Sequence, residues 1–435
     1  MLGRRILVVA AASALAVAGL GVAREPREAQ ASPRVPSAVE SPTARALKHV
    51  ARKAPASVNG NLGHPSRVAA FYARLEELET GRAKTDVRIA QLGDSHTASD
   101  YGTSIARARL AARFGDGGRG FIPLGQPYRR LFQAGEAMAR GSGFEANGAP
   151  LFGPRATASD GLFGLAGFAM DSRLAGSTMT SEFTASADSF EIAYLAQPSG
   201  GSFDVTIDGK FRGRVTTAQA TRGSAYRSFD VARGPHTFEA RGIGDGPTRI
   251  FGVRLDDDAV GITFDSLGMN GARASTPLGV DDSHFGEQVA RVAPSLVIVA
   301  YGTNESGDSV TTPEEHAAAI RSLALRLKDA VPGASCLVLG PPDRDAPSYG
   351  GARTLPKLLE IVAAQQRAAD DAGCAFFDQF AAMGAAGAIG RWSSESPPRA
   401  RRDLVHLTRA GYAFLAEALV RDLLAGYESW KSEPR

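Results

Sequence analysis

The sequence predicts an α/β protein: a three-layer domain on a five-stranded parallel sheet, interrupted by an inserted β-sandwich of jelly-roll type. Three observations lead there. Short apolar runs at 87–92, 262–267, 296–300, 336–339 and 375–380 alternate with stretches whose apolar residues recur at helical spacing. Parallel neighbours need a crossover between them, and a helix is the usual one. Between about 151 and 255 the period switches to two, with turn signals separating short strands.

The elements follow in chain order. Arg4 and Arg5 precede an apolar stretch, and Gly21-Val22-Ala23 offers small residues for cleavage, so residues 1–23 read as an export signal or an N-terminal anchor. A span takes roughly 17–25 residues, which leaves both open. A second small-x-small site, Ala29-Gln30-Ala31, leaves the cleavage point open as well. Residues 24–65 are rich in Pro, Ala, Ser and Arg without apolar period, the pattern of a disordered linker.

Residues 66–150 form the first part of the α/β domain. Val68, Phe71, Tyr72, Leu75 and Leu78 share a helical face, with Ser66 as cap and Gly81 as stop. The strand at 87–92 ends abruptly at Gly93, and a helix is expected over 101–114. The glycine-rich GDGGRGFIPLG that follows has no preceding strand and no closing GK[ST], so it reads as a shaping loop and not a phosphate cradle.

Residues 151–256 are the inserted module. Phe190, Ile192 and Tyr194 alternate with smaller or polar residues, as do Phe203, Val205 and Ile207, and Asp208-Gly209 supplies a hairpin turn. Further strands are expected at 229–231, 237–240 and 250–255. Residues 257–435 complete the α/β domain. Pro313 opens a helix, where its missing N–H is not needed, and a last helix is expected over 409–427.

Composition bounds the partners. A hydrophobic share of 43% and a charged share of 22% are those of a folded soluble protein. A net charge of +3, with no basic stripe interleaved with aromatics, argues against nucleic acid. The basic run at 399–402 reads as a solvated loop. Membrane contact is expected only through an uncleaved N-terminal anchor. Cys336 and Cys374, the two cysteines, open neighbouring predicted strands and form either a disulfide or two buried thiols.

Four segments end strands or sit in loops that converge at one edge of such a sheet: GDSH at 93–96, SLGMNGARAS at 266–275, YGTNES at 301–306 and DLVHLT at 403–408. Together they resemble the signature blocks of the SGNH (GDSL-type) hydrolase superfamily. The resemblance covers roughly 86–130 and 260–412 and implies Ser95 as nucleophile, Gly271 and Asn304 in the oxyanion hole, and Asp403 with His406 as the rest of a triad. It implies no metal or organic cofactor. It is most similar to the bacterial peptidoglycan O-acetylesterases, which carry an inserted β-sandwich like a carbohydrate-binding module. GDGGRGFIP, GPPDR at 340–344 and MGAAGAIGRW at 383–392 also resemble that group. The implied partner is an O-acetylated polysaccharide or peptidoglycan, in the periplasm, cell envelope or medium.

The chemistry stands without the family name. A serine hydroxyl needs a base within hydrogen-bond reach, and His406 can supply it. Asp403, one turn earlier, can hold the imidazole. The Asn304 side chain and the N–H groups of Gly271 and Ser95 are suitable donors to an oxyanion. His96, where the better-known pattern has leucine, can contact substrate or serve as a packed, hydrogen-bonded loop histidine. Arg391 and Trp392 can line the pocket, with the indole over a sugar face, or Trp392 can pack in the core. A metallophosphoesterase would need an upstream Asp-x-His, and an α/β-hydrolase a G-x-S-x-G elbow; neither is present. An envelope O-acetyltransferase would use the same triad, and a non-catalytic wall-binding protein would not need it.

Overall fold

The computed structural model describes residues 60–125, 127, 132–149, 160–345 and 354–434. The signal or anchor at 1–23 and nearly all of the linker at 24–65 lie outside them.

Five parallel strands, β1 (Val87–Gly93), β2 (Ile262–Gly268), β3 (Leu296–Ala300), β4 (Ser335–Leu339) and β5 (Ala375–Phe377), pair in the order β5-β4-β3-β1-β2. A short strand, Leu62–Gly63, adds to β5 antiparallel, so the sheet has six strands where the sequence suggested five. Successive side chains of a strand point to opposite faces, and both faces are apolar. Val87, Ile89, Leu296, Ile298, Leu337 and Phe377 meet helices Ala69–Glu79, Tyr101–Phe114 and Arg409–Ser432. Ala90, Leu92, Val297, Val299, Val338 and Phe376 meet helices Asp282–Val292, Pro313–Ala330 and Pro356–Asp371. A sheet buried on both faces reads as continuous apolar runs, which is why LVIVA is legible as a strand.

Several local expectations shift. Ser66 does not cap a helix; Pro65–Val68 forms a 3-10 turn ahead of Ala69–Glu79, with no side-chain cap. The last helix continues to Ser432, because Tyr427 and Trp430 stack at 6.1 Å and Lys431 reaches Glu79 at 2.8 Å. Cys336 and Cys374, on the neighbouring β4 and the turn into β5, are joined as a disulfide.

The β module is a nine-stranded antiparallel sheet. It includes Gly120–Ile122, Glu136–Ser142 and Glu145–Gly148, so its sheet begins ahead of the boundary expected at Leu151, a residue outside those described. The strands expected at 229–231 and 237–240 are one long strand, Gly223–Gly242, whose register shifts around Gly234. It pairs along its length with Thr178–Ala196. The strands form one continuous sheet, not two separate ones, and the sheet folds over one core. There Phe190 stacks on Phe238 at 6.2 Å and Tyr194 meets the edge of Phe203 at 5.8 Å.

Polar bonds pin the module to the α/β layers. Arg254 Nη2 donates to Asp265 Oδ2 on β2 at 2.7 Å, and Asp265 Oδ1 accepts the Phe121 N–H at 2.8 Å. Arg119 Nη2 donates to Asp100 Oδ2 at 2.8 Å, five residues past Ser95. Phe121, Phe163, Leu195 and Phe251 also share a buried cluster with Leu92 and Leu267 of the parallel sheet.

The disulfide closes a loop of 38 residues, for which the chain-entropy relation gives about 4 kcal/mol. Replacing both cysteines by alanine should lower the urea unfolding free energy by about 3–4 kcal/mol. A loss under ~1 kcal/mol would show that the crosslink constrains the unfolded chain far less than its loop length requires.

Candidate active site

Register decides where the chemistry gathers. Gly93 pairs with Gly268 on one side and Ala300 on the other, so β1, β2 and β3 end level. The loops leaving them carry Ser95, Gly271 and Asn304 from one edge of the sheet, where open α/β sheets place ligands.

The turn that carries Ser95 is compact. A Cβ on Gly93 would lie 2.1 Å from Thr97 Oγ1 and 2.7 Å from the Ala300 carbonyl oxygen, so only glycine lets the chain fold back there. Asp94 caps the short helix Ser95–Ala98, its Oδ1 accepting the His96 N–H at 2.9 Å. Burial pushes the Asp94 carboxyl up to about 7, with the nearby Glu305 charge acting in the same direction; the His96 N–H, Thr303 and Arg344 oppose it.

His406 arrives from 311 residues away. Its Nε2 lies 3.0 Å from Ser95 Oγ, and its Nδ1 lies 2.9 Å from Asp403 Oδ2. The other Asp403 oxygen accepts the Val405 N–H at 3.0 Å and the His406 N–H at 2.9 Å. Burial would raise the Asp403 carboxyl, but those N–H groups and the imidazole outweigh it and hold the group below its ordinary value. The Arg401 N–H donates to the His406 carbonyl at 2.8 Å, and Thr408 caps the last helix directly behind. The result is a fixed hydroxyl–imidazole–carboxylate line, the arrangement that makes a serine nucleophilic.

Gly271 and Asn304 lie on the loops that leave β2 and β3, the strands on either side of β1. Gly271 has φ 80°, a left-handed conformation that favours glycine. Asn304 Nδ2 gives one hydrogen to the Ala272 carbonyl at 2.8 Å. A primary amide carries two, so the second can be offered to an oxyanion.

The remaining sequence-derived residues divide. His96 Nδ1 lies 3.0 Å from the Tyr412 hydroxyl, its ring centroid is 5.6 Å from that of His406, and its Nε2 is buried. Burial, then the proximity of His406 and Arg344, pushes its pKa down to about 3, so the ring is neutral beside the triad. This is the packed, hydrogen-bonded histidine of the two readings. Trp392 is 2% exposed among Met383, Ile389, Leu407 and Leu415, with the Arg399 guanidinium 4.2 Å from its ring. A buried indole cannot cover a sugar face, and the pocket-lining role expected for it gives way to the core. Arg391 closes its own loop instead, donating to the Gly384 carbonyl at 2.7 Å and the Ala386 carbonyl at 2.9 Å.

Sequence reasoning missed Tyr412, Glu305 and Arg344. Glu305 gave only half of a capping-box signal: it stands at the third position after Gly302, where its Oε2 accepts the Gly302 N–H at 3.1 Å, but glycine has no side chain to complete the box. Tyr412 had none. Arg344 donates to the Thr303 carbonyl at 2.5 Å, on the turn that carries Asn304.

Residues 234–414 match the GDSL-like lipase/acylhydrolase family. The match contains Gly271, Asn304, Asp403 and His406, and Ser95 precedes it. A solved peptidoglycan O-acetylesterase is similar over 86% of this chain and 100% of its own, at 25% identity and a TM-score of 0.69. A family two carbohydrate esterase from Clostridium thermocellum is 12% identical over 63% of this chain and 97% of its own, with a TM-score of 0.27. An acetylxylan esterase from Geobacillus stearothermophilus is 20% identical over 38% and 73%, with a TM-score of 0.30. These last two overlap too loosely to bear on the chain. No curated protein matches it. The family match and the first of these structures support a hydrolase acting on ester bonds.

The neutral His96 makes a pH prediction. The unfolded chain protonates this ring below its ordinary value of 6.5, whereas the folded protein resists until about 3. The stability it contributes is therefore present above pH 6.5 and lost as pH falls toward 3, at up to about 1.4 kcal/mol per pH unit. Unfolding free energies between pH 7 and pH 4 should fall more steeply for the wild type than for His96→Gln. Parallel curves would mean that the folded protein takes up this proton as readily as the unfolded chain does.

Proposed function

We propose that this protein is a serine carbohydrate esterase that removes O-acetyl groups from cell-wall polysaccharide, with peptidoglycan the first substrate to try. The observation that carries the reading is the continuous line from Ser95 Oγ through His406 to Asp403, at 3.0 and 2.9 Å. The likeness to a peptidoglycan O-acetylesterase supports the choice of acetyl and of glycan.

The proposed reaction has two halves. Ser95 Oγ attacks the acetyl carbonyl carbon and passes its proton to His406 Nε2. Negative charge grows on the carbonyl oxygen, where the Asn304 amide and the N–H groups of Gly271 and Ser95 are the candidate donors. The carbon–oxygen bond to the sugar then breaks, the imidazolium returns its proton to the sugar oxygen, and acetyl stays on Ser95. Water repeats the sequence: it loses a proton to His406, attacks the acetyl carbon, and acetate leaves as Ser95 regains its proton. Asp403 stabilises the imidazolium in both halves.

The rest of the proposal concerns setting. Residues 1–23 direct export or tether the chain, and the β module is a sandwich-like accessory to the hydrolase domain. Cofractionation of a tagged full chain with the cytoplasm would remove the first of these; a β module that fails to retain insoluble wall polymer would confine the second to structure.

Acetate release from O-acetylated peptidoglycan, O-acetylated xylan and an aryl acetate, measured side by side, tests the function. The wild type should release acetate, peptidoglycan being hydrolysed best, and Ser95→Ala should lose at least about 10³-fold. Undiminished release by Ser95→Ala overturns the triad. Acetyl recovered on an added sugar in place of free acetate would identify a transferase. Wall binding without turnover would identify a binding protein.

A further inference from the structure

Two of the three donors assigned to the oxyanion, Gly271 and Asn304, follow strands that each pair with β1 but not with one another. β1, which leads into the turn bearing Ser95, lies between β2 and β3 in the sheet. The loop with Gly271 follows β2 and the turn with Asn304 follows β3, so no backbone ladder joins these two segments. Oxyanion stabilisation depends on donors held in place before the charge forms. The ladders to β1 bring the strand ends level, and contacts between the loops beyond them must fix the donors themselves.

Three consecutive residues of the first segment are clasped by the second. The Ala272 carbonyl accepts from Asn304 Nδ2 at 2.8 Å, Arg273 Nε donates to Asp308 Oδ2 at 2.8 Å, and the Ala274 N–H donates to Glu305 Oε1 at 2.8 Å. Glu305 is the centre of the clasp. Its other oxygen accepts the Gly302 N–H at 3.1 Å, closing the turn on which Asn304 sits. His316, from helix Pro313–Ala330, places Nδ1 3.1 Å from Oε1, and its Nε2 lies 3.4 Å from Gln365 Oε1. Glu305 and His316 are both fully buried. Burial alone would raise the Glu305 carboxyl, but the His316 bond and charge, with the Ala274 N–H, hold it below its ordinary value. It is therefore a carboxylate, able to accept on both oxygens at once.

We propose that Glu305, locked by His316, is the positioning residue of the oxyanion hole, bridging the Gly271 loop to the Asn304 turn across the nucleophile strand. It touches no reacting atom. Its effect is on the distance between donors, and so on the tetrahedral intermediate more than on substrate binding. The inference rests on the esterase reading above.

Glu305→Gln keeps the volume but turns an amide NH2 toward one of the donors that the carboxylate now accepts. With active sites counted by phosphonate titration of Ser95, the variant should lose at least tenfold in kcat on an aryl acetate, while KM stays within threefold. Affinity for an alkylboronic acid, which forms a tetrahedral anion on Ser95, should fall by a similar factor. A purely structural role would lower the melting temperature and leave kcat per live site and boronate affinity unchanged. If Glu305→Gln does not fold, His316→Asn, which keeps the carboxylate and removes its lock, is read by the same two measurements. A folded variant within twofold of the wild type in both overturns the proposal. The esterase reading is reported separately, by wild-type turnover of the aryl acetate and its loss in Ser95→Ala.

Discussion

The 3.0 Å between Ser95 Oγ and His406 Nε2 joins positions 311 residues apart, and much of the architecture serves to hold that distance. Ser95 is placed by the sharp turn at Gly93 and by the Asp94 cap. His406 is placed by a loop closed on itself and by the start of the last helix. The two sides also meet away from the Ser95–His406 contact, where His96 of the helix that begins at Ser95 reaches Tyr412 of the last helix at 3.0 Å. Because this contact is neutral, it fixes the geometry without adding a second positive charge beside the base. A charged imidazole there would oppose formation of the His406 imidazolium.

Burial of polar groups follows a consistent pattern. Arg254 with Asp265, Arg119 with Asp100, and Glu305 with His316 all lie at junctions: the first two between the β module and the α/β layers, the third between the Asn304 turn and the helix packed behind it, where Glu305 also reaches the Ala274 N–H of another loop. Such pairs are weak contributors to net stability, since desolvation offsets their attraction, but losing one partner strands a buried charge at a cost of about 3–5 kcal/mol. Their specific consequence is placement. Apolar contacts alone, being non-directional, would leave a nine-stranded module free to settle against the parallel sheet in several ways.

Legibility differed by element. Helix Tyr101–Phe114 and strand Leu296–Ala300 have the bounds their apolar spacing indicates, because each is decided by side chains within a few residues. The long strand Gly223–Gly242 has the alternation of two shorter ones, since Ala232 to His236 interrupts it and only pairing with Thr178–Ala196 carries the strand through. Trp392 offered both a pocket and a core reading. Its sequence neighbours could not choose between them; Met383, Leu407 and Leu415, from other segments, did.

By itself the sequence determined the parallel α/β core, the β interruption, and the order of the four blocks carrying Ser95, Gly271, Asn304, Asp403 and His406. These are properties of local periodicity and local chemistry, and periodicity is short-ranged. Tertiary structure alone decided that Cys336 and Cys374 bond, that His96 is neutral and Trp392 buried, and that Glu305 bridges two loops. Each of these depends on which side chain stands opposite, across a sheet or from another helix. That choice is made by register and packing, which spacing along the chain does not record.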